Sequence, residues 1–442
     1  MPKTGLGVER RAVGRLAGPI VLANLGQPLM GMVDTALSGH LDDPALIGAV
    51  SVGALVFSFL FWGFGFLRLS TGGLTAQARG ADDSVEIRAI LARALLLAGL
   101  LASLLLILQV PLEALSLQLI AASDKVTEGA ALYFTIRIWA APASLSLYCL
   151  HGWLLGMQDA RSVMILTLSL QAFNAGFSLA FVLLLDWGIL GIAAGTLLAE
   201  YLAVGLGLLL IRRHLRAHPG RLDRTSILDR GKLRGLIGVN GDLMIRTFAL
   251  LTGMALFTRA SAQFGDLPLA ANQLLQQLVL LVSYAMDGFA DAAEASIGYA
   301  KGARDRLRAS RMIKACLQLA LLVSIGFALA YAALGLEIVA LFTKHEEVVV
   351  EAARYLPWLI VLPLVSVWCF VIDGVFIGAL RTAAIRNAML ASLAIFWLAQ
   401  ALLVPLWANH GLWLAFLILF AARGATLGAG LPALLRDIKP AG

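Results

Sequence analysis

The stretch AQARGADD, residues 76–83, returns with changes as GYAKGARD at 298–305, and the interval of 222 residues between them decides how the chain is built. At that same offset Asp83 falls on Asp305, Gly152 and Gly156 fall on Gly374 and Gly378, and Tyr133 falls on Tyr355. Pro142 and Pro363 agree to within one residue. One offset that holds from the second helix to the fifth marks an internal duplication. The chain is expected to form two six-helix lobes, 1–212 and 234–442, joined by a cytoplasmic linker at 213–233, with the basic stretch RRHLRAHPGRLDR (212–224) at the joint. Six is even, so both lobes enter from one side, which implies a pseudo-two-fold axis along the membrane normal and a cleft between the lobes.

Composition sets the class. The 442 residues are 60% hydrophobic and 14% charged, with a mean hydropathy of +0.86, outside the range of soluble domains. Apolar runs interrupted at intervals argue for membrane-spanning helices rather than a barrel. Twelve are predicted, over 13–38, 45–72, 88–112, 126–150, 160–185, 189–212, 234–261, 268–297, 308–334, 348–376, 384–405 and 410–434. A formal charge of +7 in a soluble protein would suggest nucleic acid. Here 26 of the 34 Lys and Arg fall in the termini and alternate loops and four on the opposite side, a topology signal rather than a nucleic-acid patch. It predicts a multi-pass protein of the inner (plasma) membrane with both termini in the cytoplasm and no cleaved leader. Cys149, Cys316 and Cys369 show no ligand spacing, and His214 with His218 reads as part of a solvated basic loop, so neither metal nor cofactor is expected.

Within the apolar run that starts near Val13, Asp34 is the only acid. Gln27, Gly31 and Ser38 share its helical stripe, so that face can line a wet cavity. A carboxylate in hydrocarbon costs several kcal/mol, and an intramembrane acid is by default a functional residue. No Lys or Arg lies within two turns, so desolvation raises its proton affinity and suits it to load and release a proton. Pro19 and Pro28 each remove a helical hydrogen bond and supply a place to bend. Other intramembrane polar groups have structural readings. Arg68 and Arg137 are expected in ion pairs with neighbouring helices, and Asp242 in a local pair with Arg246 four residues on. Asp287, Asp291 and Glu294 form one acidic stripe, read equally as ion pairing or as a second cation site. The Gly152/Gly156 and Gly374/Gly378 pairs are G-x-x-x-G steps for close helix packing.

Taken together, VDTALSGHL (33–41), the AQARGADD and GYAKGARD pair, YAMDGFADAAEA (284–295) and VIDGVFIGALRTAAIRN (371–387) resemble the MATE multidrug and toxin extrusion transporters, and most closely their DinF subfamily. The resemblance implies two six-helix bundles around a cleft and export of organic, often cationic, compounds against inward protons or sodium. It places Asp34, Asn174, Thr196 and Tyr133 in an N-lobe coupling-ion pocket and the helix bend at Pro19. Family members commonly carry a second aspartate where this chain has Ser178, so the pocket holds one acid, enough for a proton but poor for sodium. Other branches use C-lobe acids, and Asp373 matches one of these, which keeps a C-lobe site of Asp287, Asp291 and Asp373 in view.

The expectation is therefore a proton-coupled drug antiporter, monomeric, whose partners are drug-like small molecules and membrane lipid, with sodium coupling as the alternative. A flippase for a lipid-linked substrate would need several exposed arginines in its cleft, and only Arg68, Arg137 and Arg246 are candidates. No H-E-x-x-H or G-x-S-x-G occurs, which argues against an enzyme.

Overall fold

The computed structural model of the protein describes residues 6–26, 44–120, 123–220 and 224–439. Residues 27–43 fall outside these, so Asp34, Gln27, Pro28, Gly31 and Ser38 lie beyond the described residues.

Helix α1 runs Leu6–Leu25 with Pro19 inside it. Helix α2 is Pro44–Trp62 and, past a turn, Phe66–Gly80. Helix α3, Ser84–Ile107, is followed by the short helix Gln109–Ile120. Helix α4 runs Asp124–Arg137, through a tight turn at Ile138–Ala140, to Ala141–Gly156. Helix α5 is Ala160–Leu179 with a widened turn at Ala180–Leu184, and α6 is Gly188–Ala217. After a short helix at Arg224–Ile227 come α7 (Arg230–Ala262), α8 (Asp266–Gly302), α9 (Arg306–Phe342) and α10 (Glu346–Gly378). The last helical stretch, Thr382–Asp437, breaks at Ala408 into α11 and α12. No strand occurs among the described residues. Ten stretches are long and apolar enough to cross a membrane, and the last of these holds both α11 and α12. Most helices overrun their predicted ends by a few residues, because polar residues continue a helix beyond hydrocarbon at no cost to its backbone hydrogen bonds.

The helices gather into two compact units. One is Leu22–Leu236; the other is Ile237–Gly442 together with the start of the chain as far as Val21. Within the second unit, α1 packs on α8 at Gly288, whose missing side chain admits the backbone of Val21, and Arg10 Nε donates to Gln318 Oε1 at 2.9 Å.

The duplication is written into the backbone of both units. Among the described residues six other than glycine have positive φ, and they fall into three pairs 222 apart: Asp82 (55°) with Arg304 (56°), Gln158 (52°) with Leu380 (53°), and Asp186 (54°) with Ala408 (47°). The first two pairs end helices in the same way. Asp83 N donates to Ala78 O at 3.0 Å and Asp305 N to Ala300 O at 2.9 Å; Asp159 N donates to Leu154 O at 3.0 Å and Arg381 N to Phe376 O at 2.9 Å. These six-to-one bonds satisfy carbonyls that the helix leaves open, which outweighs a left-handed residue costing roughly 1–2 kcal/mol. The Asp83 and Asp305 match found in the sequence is a capping match. Each carboxylate accepts the amide three residues on, Glu86 N at 2.9 Å and Arg308 N at 2.8 Å, worth about 1 kcal/mol apiece. Above each cap a basic side chain spans to the end of another helix, Arg79 to Met157 O and Lys301 to Ala379 O.

The G-x-x-x-G pairs hold helices together inside each unit. Gly152 and Gly156 of α4 meet the backbone of α2 at Arg68 and Gly72, and Gly374 and Gly378 of α10 meet α8 at Ala290 and Glu294, again 222 apart. Close backbone approach of this kind raises van der Waals contact where the hydrophobic effect gives helices no reason to associate.

The described residues that flank 221–223 are bonded to neighbouring helices. Arg88 Nε donates to His218 O at 2.7 Å, Lys232 Nζ to Glu86 at 2.6 Å, and His214 Nε2 to the Asp159 carboxylate at 2.7 Å. His214 thus belongs to the last turn of α6 and to an ion-pair cluster, not to a solvated loop.

Candidate functional site

In the first unit the polar residues expected of a coupling pocket come together from α5 and α6. Asn174 Nδ2 donates to Thr196 Oγ1 at 2.8 Å, and the Thr196 hydroxyl donates to Ile192 O at 3.0 Å. The Ser178 hydroxyl, one turn along α5, reaches toward Asn174 Oδ1 at 3.5 Å. Asn174 and Ser178 are buried. The close fit has a cause in the sequence: Gly195 on α6 faces the backbone of Ser178, and a side chain there would hold the two helices apart. Asn174, Thr196 and Ser178 are themselves uncharged, and among the described residues their hydrogen bonds are between neutral dipoles. Tyr133 stands on α4, buried against Gly53 and the ring of Phe57 from α2.

One turn beyond Tyr133 on α4 is Arg137, and one turn beyond Thr196 on α6 is Glu200. These two form the buried ion pair that was expected for Arg137. Arg137 Nη2 donates to Glu200 Oε1 at 2.5 Å, and the Ser144 hydroxyl donates to the other carboxylate oxygen. The guanidinium lies over the rings of Phe57 and Phe61, 5.5 and 5.1 Å from their centroids, a favourable placement for a cation.

The second unit is different in kind. Asp373 on α10 is almost wholly buried and accepts from two arginines, Arg246 Nη2 at 2.8 Å and Arg423 through both Nε and Nη2. Asp287 on α8 is near enough to act electrostatically on Arg423 and Cys369. The expected local pairing of Asp242 with Arg246 is corrected by these contacts. Asp242 instead accepts from Arg386 Nη1 at 2.6 Å and from the Thr382 hydroxyl at 2.9 Å, while Arg246 reaches across to α10. Asp242 thereby takes one donor on each oxygen, Arg386 on Oδ1 and Thr382 on Oδ2, both from the start of α11. Asp291 and Glu294 are buried further along α8, so the acidic stripe runs from the arginine cluster into the α8–α10 contact.

One network had no sequence signal beyond two lone amides in apolar runs. Asn272 of α8 donates to Ser261 Oγ at 2.6 Å and exchanges bonds with Asn409 of α12 at 2.8 and 3.1 Å, while the Trp413 indole donates to Asn272 Oδ1 at 2.8 Å. It pins the bend at Ala408. Among the described residues no group of three His, Cys, Asp or Glu is placed to hold a metal ion, and the three cysteines are free and buried.

Comparison with known proteins agrees with this architecture. The MatE family pattern matches residues 19–185 and 243–403. The chain is 39% identical over 421 residues to the DNA damage-inducible protein F of Escherichia coli K12, covering 95% of this chain and 91% of that protein. It is 26% identical over 447 residues to a probable multidrug resistance protein NorM of Pseudomonas aeruginosa, covering 95% and 89% of the two. Its fold matches the crystal structure of the Vibrio cholerae MATE transporter VcmN with a TM-score of 0.87 at 17% identity, over 98% of this chain and 99% of that one. The duplicated twelve-helix scaffold and the match along nearly its whole length lead to one conclusion: the chain belongs to the MatE family of membrane transporters, and it is a transporter rather than an enzyme.

Proposed function

We propose that this protein is a secondary antiporter of the inner membrane that exports organic, often cationic and amphipathic compounds in exchange for protons. In this reading it works as a monomer with both termini in the cytoplasm, and the kinship with the NorM proteins supports drug-like substrates. The observation that carries the choice of coupling site is the contrast between the units. In the second, Asp373 already holds two guanidiniums, so a further cation there would have to displace a tethered one. In the first, Asn174 and Ser178 are buried, Thr196 is half-buried and all three are neutral, a set of dipoles that would suit a single proton-carrying acid. A sodium ion stripped of water needs several oxygens and more negative charge than one carboxylate provides. Arg137 and Arg246 are both committed to ion pairs, which leaves little for the pyrophosphate of a lipid-linked substrate.

The acid in this scheme is Asp34. Protonation removes the desolvation penalty of a buried carboxylate, a few kcal/mol, and moves a two-state equilibrium by orders of magnitude. Helix α1 then bends at Pro19 and the drug site in the first unit contracts. The test is efflux from proteoliposomes driven separately by a pH gradient and by a sodium gradient. Transport is expected with the first alone, and Asp34→Asn is expected to insert normally and lose it. Sodium-driven transport, or an unimpaired Asp34→Asn protein, removes this reading.

A further inference from the structure

We infer that the outward side of the α5–α6 pair binds an anionic phospholipid, its phosphate held by Arg161, Arg212 and Arg216 and its chains laid along Leu168, Leu202 and Leu209. The site goes beyond the antiport reading and does not depend on which ion is coupled.

Three contacts fix how the two helices lie. Asp159 meets His214 at 2.7 Å, Asn174 meets Thr196 at 2.8 Å, and Gly195 faces the backbone of Ser178. The helices therefore run antiparallel in a single register, which sets Arg161 level with Arg212 and Leu168 about two turns further in. Helical spacing gathers Leu202, Leu209, Arg212 and Arg216 on one stripe of α6, and Arg161 with Leu168 on one stripe of α5. Both stripes are open: Leu168, Leu202 and Leu209 are 38, 44 and 65% exposed, and all three arginines are exposed. The leucines are what a lipid-facing surface requires, and the cations stand where the apolar stripe ends.

The charge at this end is not balanced from within. Asp159 is the carboxylate at the α4–α5 corner, and it is already shared by His214 and Arg213, the latter at 3.0 Å. Arg161, Arg212 and Arg216 make no ion pair or hydrogen bond among the described residues. Topology alone does not account for them. The duplication gives each an equivalent 222 residues on, at the matching end of the second unit, and these are Ala383, Leu434 and Ile438. Leu434 and Ile438 are buried there, so the shared frame needs no cation at these positions. A guanidinium cluster over an apolar groove matches one kind of molecule, a phosphate attached to hydrocarbon chains. Guanidiniums bind phosphate oxygens in pairs, and basic recesses between membrane helices hold anionic headgroups in this way. A soluble anion would use the arginines alone, and an acidic peptide would leave the leucines without a partner.

The experiment titrates the purified full chain in detergent with diphosphatidylglycerol, and separately with phosphatidylcholine of the same chains, following bound lipid by native mass spectrometry and the melting temperature. The wild-type protein is expected to take up the anionic lipid saturably and to melt higher with it, and to show neither response to phosphatidylcholine. Each cation beside an anionic lipid is worth about fivefold in affinity, so Arg212→Gln/Arg216→Gln is expected to bind about 25-fold more weakly. Arg306→Gln/Lys314→Gln removes the same charge from exposed positions of α9 in the second unit and is expected to leave the affinity unchanged. If the first double variant does not insert, Arg161→Gln on the other helix carries the test, with an expected fivefold loss. Equal weakening in the α9 variant would reduce the effect to diffuse surface charge and overturns the site. Equal uptake of phosphatidylcholine, or the same stabilisation by glycerol 3-phosphate alone, also overturns it, the second by leaving an anion site that needs no chains. No response to the anionic lipid leaves the arginines to solvent or to an acidic partner and refutes the inference outright. All of these outcomes are read without a proton or sodium gradient, so failure here leaves the antiport reading standing.

Discussion

Replacing Gly195 by alanine tests whether the fit between α5 and α6 governs the polar group. A Cβ at this position would stand 2.8 Å from Ser178 N, 2.9 Å from its hydroxyl oxygen and 3.0 Å from its Cα, while ordinary contact begins at 3.4 Å. Two of those atoms are helix backbone, so the strain is relieved by moving α5 and α6 apart by about 0.5 Å rather than by turning a side chain. Overpacking of this kind costs roughly 1–3 kcal/mol. The same movement would stretch the Asn174–Thr196 bond from 2.8 Å to about 3.3 Å, past the useful range of an N–H···O bond. Gly195→Ala is thus expected both to lower the melting temperature of the purified protein and to reduce pH-driven efflux at equal expression. Gly205→Ala, on the same helix with open space around it, serves as the reference and is expected to be neutral or stabilising by up to about 1 kcal/mol. Equal melting temperatures for the two variants would refute the packing argument. A destabilised Gly195→Ala protein with full transport would show that the Asn174–Thr196 bond is not part of the working site.

Three further outcomes are expected. Ala408→Gly should stabilise the protein by about 1 kcal/mol in thermal unfolding, because φ 47° and ψ −127° are open to glycine and strained for alanine. Gly156→Ala brings a Cβ to 2.6 Å from Gly72 O and should cost roughly 1–3 kcal/mol; a variant that loses transport at unchanged stability would instead assign this contact to gating. Asp159 is held well below the usual carboxylate range, first by the hydrogen bond from His214 and then by the hydroxyl and amide of Ser162. A depressed carboxylate stabilises the fold above its unfolded value, near pH 4, and that stabilisation is lost as pH falls through the folded value. Melting temperature should therefore drop below about pH 4, and Asp159→Asn should flatten that acid limb.

The duplication and the helices were legible because both are periodic: the 222-residue offset recurs in short motifs, and hydropathy marks each crossing. Helix ends were less so, since the left-handed residues at the corners include Gln158, Leu380 and Ala408, none of which signals a turn. Partner choice was the least legible. Asp242 and Arg246 have ideal spacing for each other, yet the bonds described for them go to Arg386 and Asp373, more than 120 residues away in the chain. The Asn272–Asn409 network was missed for the same reason, because which helix faces an amide is a tertiary fact. The Asn174 and Thr196 association could be anticipated only through family resemblance, and Asp34 lies outside the described residues.

The three matched corners have a consequence for how the halves could diverge. A bend that tolerates Asp in one copy and Arg in the other, or Gln and then Leu, is specified by main-chain bonding rather than by the side chain at the corner; at the third corner, Asp186 and Ala408, the side-chain network of Asn272 and Asn409 takes part in the second copy. The frame was thus free to keep its shape while its interior chemistry drifted, one copy toward a locked salt cluster at Asp373, the other toward soft dipoles around Asn174. On the antiport reading proposed above, the copy around Asp373 would be the inert one and the copy around Asn174 the responsive one, cut from the same mould.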